Sequence, residues 1–375
     1  MPWKEVSLMS QRKELVMLSN QPGINKSELC RRYGISRKTG HKWVQRYHAQ
    51  GEAGLQDQPR TPHHTPDKTA EDLEQLIVAL RDQCGWGGRK LHRRLCDLGY
   101  REVPHPSTIT SILKRHGRIF PLVADGRHVW QRFEHAVPNQ LWQMDFKGHF
   151  AMQDGRCHPL TVLDDHSRFA LSVQACANEQ GQTVRAILTQ VFQRYGLPER
   201  MTMDNGPPWG SDRVHVHTPL TVWLLRLGIG VSHSRPYHPQ TQGKDERFHR
   251  TLNQELLCRH TFQHLAHCQA HFDRWRYRYN FERPHEALQM NVPASRYRPS
   301  PRSLPAPLPP IEYAANSVVR KVQEKGHIHF QGRVFSISKA FKGYPVALQP
   351  MPIEGMFAVY FCTHKVTEID IRTSV

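Results

Sequence analysis

The chain has 375 residues, which exceeds one typical domain, so two or three folded units are expected. Its 51 Lys and Arg against 33 Asp and Glu give a formal net charge of +18, which favours a polyanionic partner such as nucleic acid. Without an apolar run of about 20 residues, a signal-peptide pattern or a CxxC pair, we expect a cytoplasmic protein with reduced thiols and no membrane partner.

The most basic part of the chain is its first fifty residues, which hold ten Lys or Arg and three Glu. The segment INKSELCRRYGISRKTGHKWVQRYHAQG predicts a helix from about Lys26 to Tyr33, a turn at Gly34 and a second helix with Ser36 as N-cap. This spacing predicts a helix-turn-helix DNA-binding domain over residues 1–54. Its second helix would present these side chains to a major groove: Arg37, Lys38, His41, Lys42 and Gln45. A helical hairpin with a solvated basic face is the alternative.

A polar, Pro-rich stretch, GLQDQPRTPHHTPDK, predicts a linker over residues 55–68. Three helices are predicted over residues 69–120, the first with apolar residues between Leu73 and Leu80 and the last capped near Ser107. This unit resembles a second helix-turn-helix, although a purely structural three-helix bundle remains the alternative. Its predicted DNA contacts are Arg89, Lys90, Arg93 and Arg94.

From Leu141 the pattern changes from helical periods to short β-like runs. LWQMDFKGHF, HPLTVLDD and SRFALSVQA predict three strands, and ERMTMDNG and GVSHSRP predict two more that alternate with helices. This order predicts a mixed five-stranded α/β sheet with helices on both faces over residues 138–298. Asp145 lies within one strand, Asp204 ends another, and a helix starting near Gly243 follows.

The end of the chain is rich in proline and then in short strands. PSPRSLPAPLPP has six prolines in twelve residues, which predicts a stiff extended linker over residues 299–310. HIHFQGRVFSIS, YPVALQP and MFAVYFCTHKVTEIDI predict short strands separated by Gly turns, as in a small antiparallel β-barrel over residues 311–375.

Four segments occur in one order: WQMDFKGHF, TMDNGPPWG, RPYHPQTQGKDERFHRTL and YNFERPHEAL. They resemble the integrase core of bacterial insertion-sequence transposases related to retroviral integrases, over roughly residues 138–288. The resemblance implies a ribonuclease-H-like fold and an Asp-Asp-Glu triad that binds metal, here Asp145, Asp204 and Glu246. It implies an enzyme of the DDE type that binds the terminal inverted repeats of its element, cleaves DNA and joins 3′ ends to target DNA. A homo-oligomer on double-stranded DNA, dimeric or tetrameric and nucleoid-associated, is then expected.

The chemistry of strand transfer accounts for such a triad. The reaction needs an activated oxygen nucleophile, a stabilised leaving oxygen and neutralised phosphate charge, and two Mg²⁺ (or Mn²⁺) ions per site provide all three. Mg²⁺ prefers oxygen ligands, and carboxylates clustered without a cation repel one another. Three acids converging within a basic chain therefore predict a divalent-metal site.

Two adjacent acids, Asp245 and Glu246, compete for the third position. On a helix from Gly243, Asp245 falls near the apolar stripe that includes Phe248, whereas Glu246 shares another face with His249. The family's glycine-to-glutamate step also selects Glu246. The DNA contacts predicted beside the triad are Gln242, Lys244 and Arg250.

Other polar residues have simpler interpretations. Asp164 and Asp165 end a strand, where a carboxylate more often forms a turn than binds metal. Histidines at three- and four-residue steps from His260 to His271 could bind zinc or copper, but no second ligand set accompanies them, so solvated or DNA-facing side chains are favoured. A catalytically silent DNA-binding regulator is the alternative function, and a simple ribonuclease, which needs no helix-turn-helix modules, is a weaker third.

Overall fold

The computed structural model of the protein describes residues 8–58, 68–119, 134–210, 217–233 and 243–372. The chain forms two compact units, Met1–Lys68 and Thr69–Val375. None of the helices in the described ranges is long and apolar enough to cross a membrane. All eight cysteines are free thiols, as predicted.

The first unit contains α1 (Leu8–Ser19), α2 (Lys26–Arg32) and α3 (Arg37–Gln50). The hydroxyl of Ser36 accepts a hydrogen bond from the Thr39 amide at 3.1 Å, so the predicted N-cap is confirmed. The small core of this unit is built by Leu15, Val16, Leu29, Trp43 and Leu55. The first helix was not predicted, because its apolar residues are spread around the helix instead of along one stripe.

The second unit begins with a bundle of α4 (Glu71–Cys84), α5 (Gly88–Asp97) and α6 (Pro106–Arg115). The three predicted helices are confirmed. The cap predicted near Ser107 is His105, whose Nδ1 accepts from the Ser107 amide at 3.4 Å. Pro106 follows as the first helical residue, where its missing N–H costs nothing.

A mixed sheet forms the centre of the second unit. Five strands lie in the order β4-β3-β1-β5-β6, and the two-residue strand β2 also pairs with β3. β3 is antiparallel to β1, β2 and β4, whereas β5 is parallel to β1 and β6. The predicted five-stranded mixed sheet is confirmed, with β2 as an addition. The strands are β1 (Leu141–Phe146), β2 (Phe150–Ala151), β3 (Arg156–Asp164), β4 (Ala170–Cys176), β5 (Arg200–Met203) and β6 (Gly230–His233).

Helices cover both faces of this sheet. One face packs with α7 and α8 around Trp142, Val162 and Leu188. The other packs with α9 and α10 around Phe248 and Phe272. The four helices are α7 (Gly181–Tyr195), α8 (Pro219–Arg226), α9 (Gly243–Glu255) and α10 (Leu265–Phe281). Alternate residues of each strand therefore meet different helices, which explains the nearly continuous burial of β3 and β4.

Side chains of α10 satisfy the outer edge of β4, where none of the described strands pairs. Asn280 accepts from the Ala170 amide at 2.8 Å and donates to the Ala170 carbonyl at 2.9 Å. Gln269 accepts from the Ala175 amide at 2.7 Å and donates to the Val173 carbonyl at 3.2 Å. These amides replace the missing neighbouring strand, so the edge is closed to strand addition.

The Pro-rich segment lies against the core and does not extend away from it. The guanidinium of Arg302 donates to the carbonyls of Pro198 at 2.6 Å, Leu227 at 3.1 Å and Gly228 at 2.9 Å. Gly196, with φ +77°, allows this approach, because a Cβ there would lie 2.5 Å from the Ser300 carbonyl oxygen. The segment predicted as an extended linker is therefore held against the core.

The predicted tail barrel is corrected to two open antiparallel sheets. One has the order β12-β11-β10-β7 and the other pairs β8 with β9. The tail core includes Val222 and Leu225 of α8, so a helix that also packs against the mixed sheet covers the apolar face that a barrel would enclose. The strands are β7 (Val318–Lys321), β8 (His327–Phe330), β9 (Arg333–Ser336), β10 (Pro345–Pro350), β11 (Met356–Phe361) and β12 (His364–Asp370).

We expect Asn280→Ala to lower the free energy of unfolding by about 2 kcal/mol, since it leaves the buried Ala170 amide without its partner and the Ala170 carbonyl with only the 3.4 Å contact of the Arg276 guanidinium. Urea unfolding followed by tryptophan fluorescence measures the change. Arg274→Ala on the exposed side of α10 is the control and should change stability by less than about 0.5 kcal/mol. Equal losses in the two variants would contradict the edge role.

Candidate active site

The parallel register of β1 and β5 places two acids side by side. Gln143 of β1 pairs with Thr202 of β5. Asp145 in β1 and Asp204 just after β5 each follow two residues later, so they lie at the same level. Residues two apart on a strand share a face, so both carboxyl groups lie on the face of Gln143 and Thr202. They line one pocket of about 430 Å³. The first two predicted triad residues are thus brought together.

The charge environment of this pocket is acidic. The pKa of Asp145 rises to about 7, because burial disfavours its charged form and the Asp204 carboxylate, then Glu179, repels it. Phe146 and Trp209 stack at 5.7 Å between ring centroids and form an apolar wall. The pocket thus holds negative charge beside a low-dielectric surface, an environment that favours a cation.

Sequence reasoning missed Glu179, which lines the same pocket. It lies between β4 and α7, and Nδ1 of His158 contacts its carboxylate at 2.8 Å. Its place just after a strand was the only signal, and no motif distinguishes it from a loop residue. The pocket therefore has a third carboxylate beyond the two predicted ones.

His249 connects α9 to β1 and was considered only as a neighbour of Glu246. The hydroxyl of Thr161 donates to the Asp145 carbonyl at 3.1 Å, so Nε2 of His249, 2.7 Å from that hydroxyl, is the donor to it. Nδ1 of His249 lies 3.9 Å from an Asp145 carboxylate oxygen. Burial lowers the pKa of His249 to about 4, which keeps the ring neutral.

The two adjacent acids of α9 lie in different environments. Asp245 is buried on the apolar side of the helix, as predicted, and its Oδ1 has no hydrogen-bond partner among the described residues. Burial raises its pKa well above the ordinary value, and Asp145, Asp165 and Asp204 raise it further. Glu246 is exposed to solvent. The assignment of Glu246 as the third triad residue stays a prediction.

The donor set fits a hard divalent cation in part. Asp145 and Asp204 offer only oxygen atoms, and one or two carboxylates suffice to bind Mg²⁺ together with substrate phosphates. Within the described ranges, no three His, Cys, Asp or Glu side chains are close enough together to hold an ion. That finding also gives no support to a zinc site on α10, where Nε2 of His267 and of His271 lie 3.1 Å apart.

The two acids between β3 and β4 have separate roles. Asp164 accepts from the Ser167 amide at 2.7 Å and the Asn139 amide at 2.8 Å, so the predicted turn is confirmed for it. Asp165 is fully buried and instead bonds to residues outside the turn, among them Gln143 and Lys244.

The predicted DNA contacts of the first unit are all exposed on α3, and they are Arg37, Lys38, His41, Lys42 and Gln45. Beside the active site, Arg250 is exposed, whereas the ammonium of Lys244 contacts Asp165 and its side chain is 18% exposed. Gln242 lies outside the described residues. DNA contact by each of these residues stays a prediction.

Most of the basic residues of α5 face the core. Arg94 contacts the Glu282 carboxylate at 3.2 Å, and Arg93 donates to the Asn291 side chain at 3.3 Å. Burial, and then the nearby Arg283, lower the pKa of Lys90 to about 8. Arg89 alone of the four predicted contacts is exposed. Contacts with the core therefore account for the positions of three residues that the sequence assigned to DNA.

Family comparisons cover most of the chain. The Integrase core domain family matches residues 135–239, and a second family of the same description matches residues 227–293. The family described as IS481 family transposase, C-terminal domain, matches residues 317–375. A Helix-turn-helix domain matches residues 11–63, and a Homeodomain-like domain matches residues 39–113.

Proteins of bacterial insertion elements are similar to this chain. The uncharacterized 31.7 kDa protein of insertion element IS407 from Burkholderia multivorans is 26% identical over 286 residues, 72% of this chain and 90% of that protein. The uncharacterized 39.2 kDa protein of insertion element IS476 from Xanthomonas euvesicatoria is 29% identical over 159 residues, 42% of this chain and 44% of that protein. The HTLV-2 integrase catalytic core domain in complex with magnesium has a TM-score of 0.34 and 16% identity, covering 44% of this chain and 99% of that one. That structural likeness is too distant to support an inference.

We expect metal-free protein to lose stability between pH 5 and pH 8 relative to Asp145→Asn. The folded-state pKa of Asp145, about 7, exceeds the ordinary 3.8, so its stabilising effect is complete at low pH and is lost as pH rises to 7. The free-energy difference between the two proteins should change by about 2 kcal/mol across this range. Urea unfolding in EDTA measures it. If the free energies of unfolding of the two proteins changed in parallel with pH, Asp145 would ionise as an ordinary carboxylate.

Proposed function

Because the chain belongs to the bacterial insertion-sequence transposases with an integrase-like core, we propose that it binds the ends of its own element, cleaves them and joins the 3′ ends to target DNA. The observation that carries this proposal is the juxtaposition of Asp145 and Asp204 in one open pocket. A general DNA-binding protein has no use for two mutually repelling carboxyl groups at that place.

The proposed chemistry depends on a divalent cation held by the carboxylates. When bound, Mg²⁺ or Mn²⁺ supplies phosphate neutralisation and activation of the attacking and leaving oxygens, and two ions per site are proposed. Asp145 and Asp204 would supply ligand oxygens from adjacent strands. Glu246 would supply the third carboxylate from α9, and its exposure leaves it accessible to DNA. Asp245 is the competing candidate, but its carboxyl is closed off from solvent.

DNA recognition is assigned first to α3 of the helix-turn-helix unit, which the matched Helix-turn-helix domain includes. Its exposed Arg37, Lys38 and Lys42 would neutralise phosphates, while His41 and Gln45 can reach base edges. The exposed polar face of α6, with Ser107, Ser111 and Lys114, offers a second surface. Double-stranded element ends and target DNA are therefore the proposed partners.

At least two subunits are proposed for the active assembly, since two element ends must be brought together and one site attacks one strand at a time. The alternative function is a DNA-binding regulator without catalysis. The acidic pocket disfavours this alternative, because a silent copy would gain nothing from keeping Asp145 and Asp204 together.

We expect Asp145→Asn, Asp204→Asn and Glu246→Gln each to reduce Mg²⁺-dependent cleavage and joining by several orders of magnitude, roughly 10³-fold or more, because metal-binding residues act as a unit. Cleavage of a labelled element end measures this, with end binding assayed separately and expected to persist. Asp245→Asn is the matched control and should retain most activity.

A full loss in Asp245→Asn with an active Glu246→Gln would instead assign the third carboxylate to Asp245. Full cleavage in all four variants would indicate a contaminating nuclease, and end binding by the parent protein without any cleavage would favour the regulator.

We expect Lys42→Met on α3 to weaken end binding and to lower the slope of log Kd against log salt by about 1, since it removes one phosphate contact. Arg94→Met on α5 is the control and should leave the slope unchanged, because Arg94 already pairs with Glu282. Binding titrations at several salt concentrations measure both slopes. A lower slope only in Arg94→Met would restore α5 as the DNA-contacting helix.

A further inference from the structure

Asp165 is a buried carboxylate to which several donors converge. It is 0% exposed and accepts from the His135 amide at 2.9 Å and from Nδ1 of His135 at 3.1 Å. Nε2 of Gln143 donates to it at 3.0 Å, and the Lys244 ammonium contacts the same carboxylate oxygen. A buried charge with this many donors is fully compensated, so it can hold its neighbours in one arrangement.

The two side chains that reach Asp165 from the active site come from the elements that carry the proposed triad. Gln143 is two residues before Asp145 on β1 and therefore lies on the same face of the sheet. Lys244 is two residues before Glu246, in the first turn of α9. Asp165 thus bonds at once to the strand of one proposed metal ligand and to the helix of another.

A second contact holds α9 one turn further along. His249 reaches Thr161 and lies beside Asp145 at the distances given above. The Lys244–Asp165 pair and the His249–Thr161 bond lie on either side of Glu246 in sequence. Two contacts on consecutive turns fix both the rotation and the height of a helix, whereas either contact alone leaves one of them adjustable.

We propose that Asp165 and Lys244 are positioning residues that hold the first turn of α9, and hence Glu246, against the strand of Asp145. This inference rests on the proposed function, because it assigns Lys244 a role in aligning the catalytic carboxylates in place of DNA contact. The need for such a clamp is physical. Reacting groups must be held within about 0.5 Å of their productive geometry, and the two acids of α9 that could join the site, Asp245 and Glu246, lie in its first turn.

The structural part of the proposal is tested without any activity. We expect Asp165→Asn and Lys244→Met to speed amide hydrogen exchange in peptides covering residues 243–255 by about tenfold or more, as local opening becomes easier, with β5 and α7 unchanged. Lys244→Arg keeps the charge and should retain most of the protection. Arg250→Met, an exposed change on the same helix, is the control. Unchanged exchange in Lys244→Met would overturn the clamp, even if Asp165→Asn failed to fold.

The functional part separates positioning from DNA contact. In Lys244→Met the cleavage rate at saturating DNA should fall about 10- to 100-fold, the cost of misplacing reacting groups, with Kd and its salt slope unchanged. Arg250→Met should do the reverse, with weaker binding, a lower salt slope and a normal rate at saturation. A lower salt slope with a normal rate in Lys244→Met would return this lysine to the DNA surface. If the variants loosen α9 but the parent protein never cleaves DNA, the clamp stands and the proposed enzyme fails.

Discussion

The parallel pairing of β1 with β5 is the constraint on which the active site depends. The pairing of Gln143 with Thr202 brings Asp145 and Asp204, each two residues further along the chain, to the same level on the same face. Burial, and then the repulsion by Asp204, raise the pKa of Asp145, and the paired carboxyl groups give the pocket an affinity for positive charge. A proton compensates the negative charge of the pocket weakly, and a divalent cation compensates it better. The sheet therefore determines the charge of the pocket through Asp145 and Asp204. The proposed contribution of α9 is a third carboxylate.

Charge is distributed unevenly between the interior and the surface of the molecule. The chain carries a net charge of +18, yet three of the four buried acids among the described residues, Asp164, Asp165 and Asp245, lie around the sheet, and the fourth, Glu74, lies in the helical bundle. Some basic side chains that could contact DNA instead pair with acids of the protein. Arg94 pairs with Glu282, and Lys244 pairs with Asp165. Overall charge thus overstates the surface available to a polyanion. The exposed basic face of α3 is the clearest remaining example of such a surface.

Local signals predicted most of the fold. Alternation, caps and glycine turns located the strands and helices of the core, and Ser36 was identified as a cap from its own sequence context. Long-range contacts were not predictable in this way. The open tail depends on cover from α8, and the contacts of Arg93 with Asn291 and of Arg94 with Glu282 join residues nearly two hundred positions apart. In the site, the motifs indicated Asp145 and Asp204, but Glu179 and His249 entered through the geometry of the sheet, which a linear pattern does not encode.

The bound Pro-rich segment affects how the core can be shortened. By composition, residues 299–310 are where a truncation would normally be made. A core cut after residue 298 would lose the Arg302 guanidinium and leave three backbone carbonyls, those of Pro198, Leu227 and Gly228, without their donor. Leu304 and Leu308 would also be stripped from the apolar cluster that they cover. Such a fragment would be prone to aggregate for reasons unrelated to the residues of the candidate site, and the tail sheets that cover α8 would be missing as well. A shortened protein intended for crystallisation or assays should therefore retain the Pro-rich segment and the tail sheets together.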